Sequence, residues 1–270
     1  MEKLRSVYRF LKKKYDLLSL RKYTTIAGTL VFFLIMSIVP LSFWLTMLVG
    51  KLPVNTEEVL SLSVFSSVKE VLLYVQKEAE NATAGTSVIL VFTTLYSSTN
   101  LFYQMRRSGE LIYDFHPKRQ GFRLRLGAFL LLAVVMATVV VFLLVFALGS
   151  FLFSRTLPPV WELAADYVLL AGVSFFLVLL LNTYVCPHKV RMRCFLPGTA
   201  FTVGAWVVSI IGFSVYLKIG NPSRLYGALS AIIVFLLWLY VLMTCFIIGV
   251  IFNSERVFAE RKKQKRKKKV

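Results

Sequence analysis

From Tyr226 to Asn253 the chain reads YGALSAIIVFLLWLYVLMTCFIIGVIFN, without one Asp, Glu, Lys or Arg. A helix needs about 20 apolar residues to cross a bilayer core, so this run is long enough with residues to spare. Inside hydrocarbon every backbone N–H and C=O needs an internal partner, which leaves helices or closed barrels as spanning structures. Nine Lys/Arg follow within residues 254–270. An apolar spanner pinned by positive charge is the unit that recurs backwards through the sequence.

Six such spans are expected, at about 26–50, 87–105, 126–153, 166–186, 196–217 and 226–253. The second, SVILVFTTLYSSTNLFYQM, is the least apolar. Its Thr/Ser/Asn cluster calls for hydrogen-bond partners on neighbouring helices. Overall 57% of the 270 residues are hydrophobic, with mean hydropathy +0.71. Soluble domains lie nearer 45–50%, so lipid is the expected solvent. The expected organisation is a basic segment 1–25, a six-helix transmembrane domain 26–253 and a basic tail 254–270.

The net charge of +19 would fit a nucleic-acid partner if it formed one patch. It does not. With six crossings, one side collects 26 Lys/Arg and 6 Asp/Glu, and the other 6 and 7. Positive-inside sorting then places both termini in the cytoplasm. The basic segments anchor on anionic headgroups at about 1 kcal/mol per Lys or Arg near the surface, and no nucleic-acid partner is expected.

Residues 51–86 form the longest outer loop. Asn55 and Glu58 have capping-box spacing. Val64, Phe65, Val68, Val71, Leu72 and Val75 recur at helical spacing, which predicts an amphipathic helix at the outer interface. It reads as a lid on spans one and two, or as a gate.

Inside the spans a few residues stand out. Pro40 removes a helix hydrogen bond, and Ser37 is placed to relieve the freed carbonyl. Asn100, Asn182 and Asn253 are amides that seek partners, as helix–helix glue or as lining of a path. Pro197-Gly198 opens span five, where Pro is tolerated in the first turn. Gly198, Gly204 and Gly212, with Gly227 and Gly249 on span six, read as close-packing positions. Tyr226 opens span six, and Trp238 sits near its middle. Arg106, Arg107, Arg191 and Arg193 crowd the cytoplasmic ends, where an anionic head would be met. A substrate path would therefore draw on Pro40, Asn100, Arg106, Arg107, Arg191, Arg193, Tyr226, Trp238 and Asn253.

The spans carry no Asp, Glu, Lys, Arg or His near their centres, where pumps and proton relays keep such groups. No Gly-rich phosphate loop, HExxH or GxSxG motif occurs. Cys186, Cys194 and Cys245, with His116 and His188, complete no metal-ligand pattern. Neither enzyme chemistry nor a cofactor is expected.

GTLVFFLIMSIVPL at 28–41, LPGTAFTVGAW at 196–206, and YGALSAIIVFLLWLY at 226–240 with GVIFN at 249–253 resemble the YihY/BrkB family of bacterial inner-membrane proteins. The likeness runs from about residue 20 to 255. The family commonly has Glu where this chain has Ile251, and Ala where it has Thr29 and Val31. The resemblance implies an all-α, six-span inner-membrane bundle with a transporter-like role in handling envelope lipid or an anionic solute. A non-transporting membrane scaffold is the alternative. Some members carry a ribonuclease label, which would require metal-binding carboxylates or histidines that do not gather here.

Overall fold

The computed structural model describes residues 22–49, 84–116, 121–156, 159–220 and 228–267. Six α-helices account for most of them: α1 Tyr23–Val49, α2 Ala84–Ile112, α3 Gly121–Thr156, α4 Pro159–Val185, α5 Leu196–Gly220 and α6 Ala228–Lys267. A 3-10 turn at Met192–Cys194 lies between α4 and α5. No strand occurs among the described residues. Each expected span overlaps one helix in order. The amphipathic helix expected in 51–86 lies outside the described residues, apart from Ala84, Gly85 and Thr86, which open α2. Tyr226 and Gly227 also lie outside them.

Among the described residues three helices are long and apolar enough to cross a membrane, over Gly121–Phe142, Leu196–Tyr216 and Ile233–Arg266. Tyr23–Ile38 and Leu170–Val185 are shorter apolar stretches. Their outward faces are apolar too: Val208 is 70% exposed and Leu237 60%. A water-soluble fold would bury such residues; lipid does not require it.

The helix ends follow local chemistry. Pro159 stands at the first position of α4, where its missing N–H is no loss. α2 ends in a Schellman turn: Phe115 N–H donates to Glu110 C=O (2.9 Å) and Asp114 N–H to Leu111 C=O (3.4 Å). Asp114 takes the left-handed conformation this turn requires, with φ 50°. α6 does not stop where its apolar run ends. Its 40 residues span about 60 Å at 1.5 Å each, twice a hydrocarbon core of about 30 Å. Residues 254–267 contain no Gly or Pro, and fully buried Val257 fixes one face of this extension.

The chain divides into two compact units. One holds the start of α1, the end of α2, the end of α4 and all of α5 and α6. The other holds the rest of α1, α2 and α4 together with α3.

In the α3-containing unit, Pro40 is buried within α1. A proline at 40 leaves the carbonyl of Met36, four residues back, without its helical donor. Ser97 of α2 supplies the replacement, its Oγ donating to Met36 C=O at 3.1 Å. Ser37 returns the contact by donating to Ser97 C=O at 3.0 Å. The donor that relieves the proline is therefore Ser97, sixty-one positions away, and not Ser37 of the same helix.

Ser97→Ala should lower stability by about 0.5–1.5 kcal/mol, the range of interhelical hydrogen bonds in membranes. Pro40→Ala restores the missing N–H, so Ser97→Ala should cost clearly less in that background. Thermal unfolding in detergent of the two single variants and the double variant measures this coupling; fully additive effects would contradict the pairing.

Candidate functional site

In the unit built on α5 and α6, the helices pack along one another, and their closest approach surrounds Asn253. Gly198 in the first turn of α5 faces Gly249 of α6; a Cβ on either would collide with the other's backbone. The close approach lets Asn253 reach the N-terminus of α5. Its Oδ1 accepts from Gly198 N–H at 2.8 Å, one of the donors that a helix start leaves without an internal partner. Its Nδ2 donates to Asn182 Oδ1 at 2.9 Å. Asn182 Nδ2 in turn donates to Val178 C=O (3.0 Å) and to Thr199 Oγ1 (3.3 Å). Both amides are fully buried. Three helices are thus tied by two side chains. Ile251, two residues before Asn253 on α6, is fully buried.

Gly204 and Gly212 behave differently. Both are exposed, and a Cβ at either would meet nothing within 4 Å. Gly109, which the sequence did not single out, is the tighter position: a Cβ there would strike Val185.

That contact brings the end of α2 against the end of α4. Arg106 Nη1 donates to Cys186 C=O at 2.6 Å and also to Tyr184 C=O. A guanidinium on the last carbonyls of a helix satisfies orphan acceptors and opposes the negative end of the dipole. Glu110, one turn on, is buried. Burial raises its pKa, while the charges of Arg106 and Arg107 pull it back.

The α6 extension closes over the same place. Arg261 Nη1 lies 2.9 Å from His188 Nε2. Burial and the Arg261 charge both lower the His188 pKa, so the neutral ring accepts this hydrogen bond. The His188 ring stands edge-on to Tyr113 (6.2 Å) and Phe115 (5.3 Å), and Phe258 of α6 packs against Tyr113 at 6.3 Å. Burial pushes the Tyr113 phenol far above its ordinary range. Arg107, Arg191 and Arg193 are exposed. Trp238 stacks on Phe213 at 5.0 Å, and among the described residues its Nε1 has no partner.

The α3-containing unit has a polar centre of its own. Arg125, near the start of α3, donates to Asn100 Oδ1 at 2.9 Å and to Tyr96 Oη at 2.7 Å. Its guanidinium lies over the rings of Tyr96 (4.2 Å) and Tyr103 (4.8 Å). Asn100 was legible as an amide in need of a partner; nothing in the sequence marked Arg125 as that partner. Pro40 and Asn100 thus belong to one unit, and Arg106, Arg107, Arg191, Arg193, Trp238 and Asn253 to the other.

The sequence pattern of the family described as Virulence factor BrkB matches residues 15–270. This chain belongs to the BrkB family. Among similar proteins, the "Putative ribonuclease-like protein YfkH" of Bacillus subtilis (strain 168) is 24% identical over 261 residues, covering 89% of this chain and 92% of the relative. A "UPF0761 membrane protein" of Coxiella burnetii (strain Dugway 5J108-111) is 30% identical over 193 residues, covering 68% and 67%. A "UPF0761 membrane protein" of Xanthomonas oryzae pv. oryzae (strain PXO99A) is 36% identical over 90 residues, 33% of this chain and 20% of that protein. No solved structure matches. Membership of BrkB identifies a membrane protein and leaves its activity to be argued from the site.

Asn253→Ala in this BrkB protein should cost about 2–4 kcal/mol, because it strands the Gly198 N–H and the Asn182 amide in a buried setting. Gly204→Ala and Gly212→Ala should stay within about 0.5 kcal/mol of the parent. Unfolding midpoints in one detergent compare the three; equal losses would contradict the placement of the close contact at Gly198–Gly249.

Proposed function

We propose that this BrkB-family chain is a six-span protein of the bacterial inner membrane, with both termini cytoplasmic and a transporter-like role in handling an envelope lipid or an anionic solute. The observation that carries the reading is the distribution of charge. Span centres hold no Asp, Glu, Lys, Arg or His, while arginines stand at the helix ends that sorting assigns to the cytoplasm. Such a surface attracts an anionic head and offers an uncharged route to the rest of the molecule. Arg106 is committed to the carbonyls of α4, so first encounter falls to exposed Arg107, Arg191 and Arg193.

A non-transporting scaffold is the second reading. It is favoured by Asn182, Asn253, Ser37 and Ser97, whose side chains all serve helix–helix bonds. Ribonuclease-like is the B. subtilis relative's name. Among the described residues no three His, Cys, Asp or Glu gather in a metal-binding group.

Proteoliposomes loaded with fluorescent anionic lipid or solute test transport. The parent should give flux, and Arg191→Ala/Arg193→Ala should reduce it severalfold. Flux unaltered by the double change removes those arginines from the route. No flux from correctly inserted protein leaves the scaffold reading. Tags at the two termini should both be reachable only from the cytoplasmic side.

A further inference from the structure

The strongest unassigned feature lies on α3. An apolar cavity of about 460 Å³ is lined by Leu95 of α2 and by Phe129, Leu132, Ala133, Met136, Ala137 and Val140 of α3. That volume falls within the range of small-molecule sites, about 300–1,000 Å³. Its shape follows from sequence: Ala133 and Ala137, four residues apart on one helix face, remove bulk between flanking Phe129 and Val140. No charged residue lines it.

One turn before Phe129 stands Arg125. Its position is fixed by Asn100 and Tyr96 and by the faces of Tyr96 and Tyr103. A guanidinium has five N–H donors, and these contacts use one on each terminal nitrogen. The remaining donors and the full positive charge are available to a ligand. Arg125 is the fifth residue of α3, whose first turn carries no acidic residue, and the helix dipole adds positive potential near that end.

The geometry points to a binding site for an anionic glycerophospholipid, its phosphate held at Arg125 and one acyl chain lying in the α3 cavity. Depth supports this occupant over a protein segment. From Phe129 to Val140 the lining covers roughly 16 Å of helix, about the 15 Å of hydrocarbon in one leaflet. The charge sits at one end, where a headgroup belongs, and the apolar lining fills the rest. Arginine matches phosphate with paired donors. The inference rests on the membrane reading above and names the lipid class for it. Whether the bound lipid then moves is a separate matter.

The test is retention of added lipid by the full-length protein in detergent, read by native mass spectrometry. Phosphatidylglycerol and phosphatidylcholine with identical oleoyl chains are compared. The parent should favour phosphatidylglycerol about tenfold. Arg125→Gln should abolish that preference while leaving phosphatidylcholine retention as it was. Ala137→Trp fills the cavity without touching Arg125 and should reduce retention of both lipids. If Arg125→Gln fails to fold, Ala137→Trp and the parent's headgroup preference still decide the matter. Glycerol 3-phosphate, the soluble headgroup analogue, should displace nothing; displacement would reassign the site to a free anion and overturn the proposal. Equal retention of the two lipids by the parent would overturn it. Retention unchanged in Ala137→Trp would do the same, leaving the cavity to protein. Selective retention without flux in proteoliposomes upholds the site and removes the transport reading; flux without selectivity does the reverse.

Discussion

Hydrocarbon offers no hydrogen bonds, and that one deficiency sets the internal contacts of this protein. A backbone group left unpaired within a span or at its end calls for a partner from another part of the chain. Met36 shows the rule at its simplest. Pro40 takes away the donor its carbonyl would have had, and Ser97 of α2 replaces it. At the start of α5 the same need is met by Asn253, which caps the Gly198 N–H from another helix. At the end of α4 it is met by Arg106, which gathers two carbonyls. A proline, a helix start and a helix end are three ways to expose a backbone group, and each one recruits a side chain from elsewhere.

This pattern separates residues that hold the fold from residues available for function. Asn182 and Asn253 bond to one another and to backbone and hydroxyl groups. Arg106 is bound on one side by carbonyls. Exposed at the helix ends are Arg191 and Arg193 in one unit, and Arg125 stands beside an apolar cavity in the other. The α6 extension adds an ordered element on the same charged segments, with Arg261 on His188 and Phe258 on Tyr113. Tail residues that composition alone would leave as solvated cations are thereby tied to the ends of α2 and α4.

Much of the helix order was legible in the sequence, because unbroken apolar runs leave the backbone no alternative. The need of Asn100, Asn182 and Asn253 for partners was legible for the same reason. Identity of the partners was not. Ser37 is the nearer hydroxyl to Pro40 in sequence, yet it is Ser97 that reaches the Met36 carbonyl, and only tertiary structure decides between them. Glycines show the same limit. Spacing singled out Gly198, Gly204, Gly212 and Gly249 together, but close approach happens where helices cross, which separates Gly198 and Gly249 from the other two. Gly109 lay outside any apolar run and gave no signal. Arg125 sat in a cationic segment, and its pairing with Asn100 requires the register of α2 against α3. The reach of α6 beyond Asn253 was hidden by charge, since adjacent Val257, Phe258 and Ala259 are the only apolar residues among the Lys, Arg and Glu of 254–267.

The central claim is that lipid, not water, surrounds the outward faces of these helices. Spin labels placed singly at Val208 and Leu237, in protein reconstituted in bilayers with the native cysteines replaced by serine, test it directly. Relaxation by dissolved oxygen should be strong and relaxation by a water-soluble nickel chelate weak at both positions, while a label at Glu255 should show the chelate more strongly. Strong chelate relaxation at Val208 and Leu237 would put water where the account requires hydrocarbon and would contradict it.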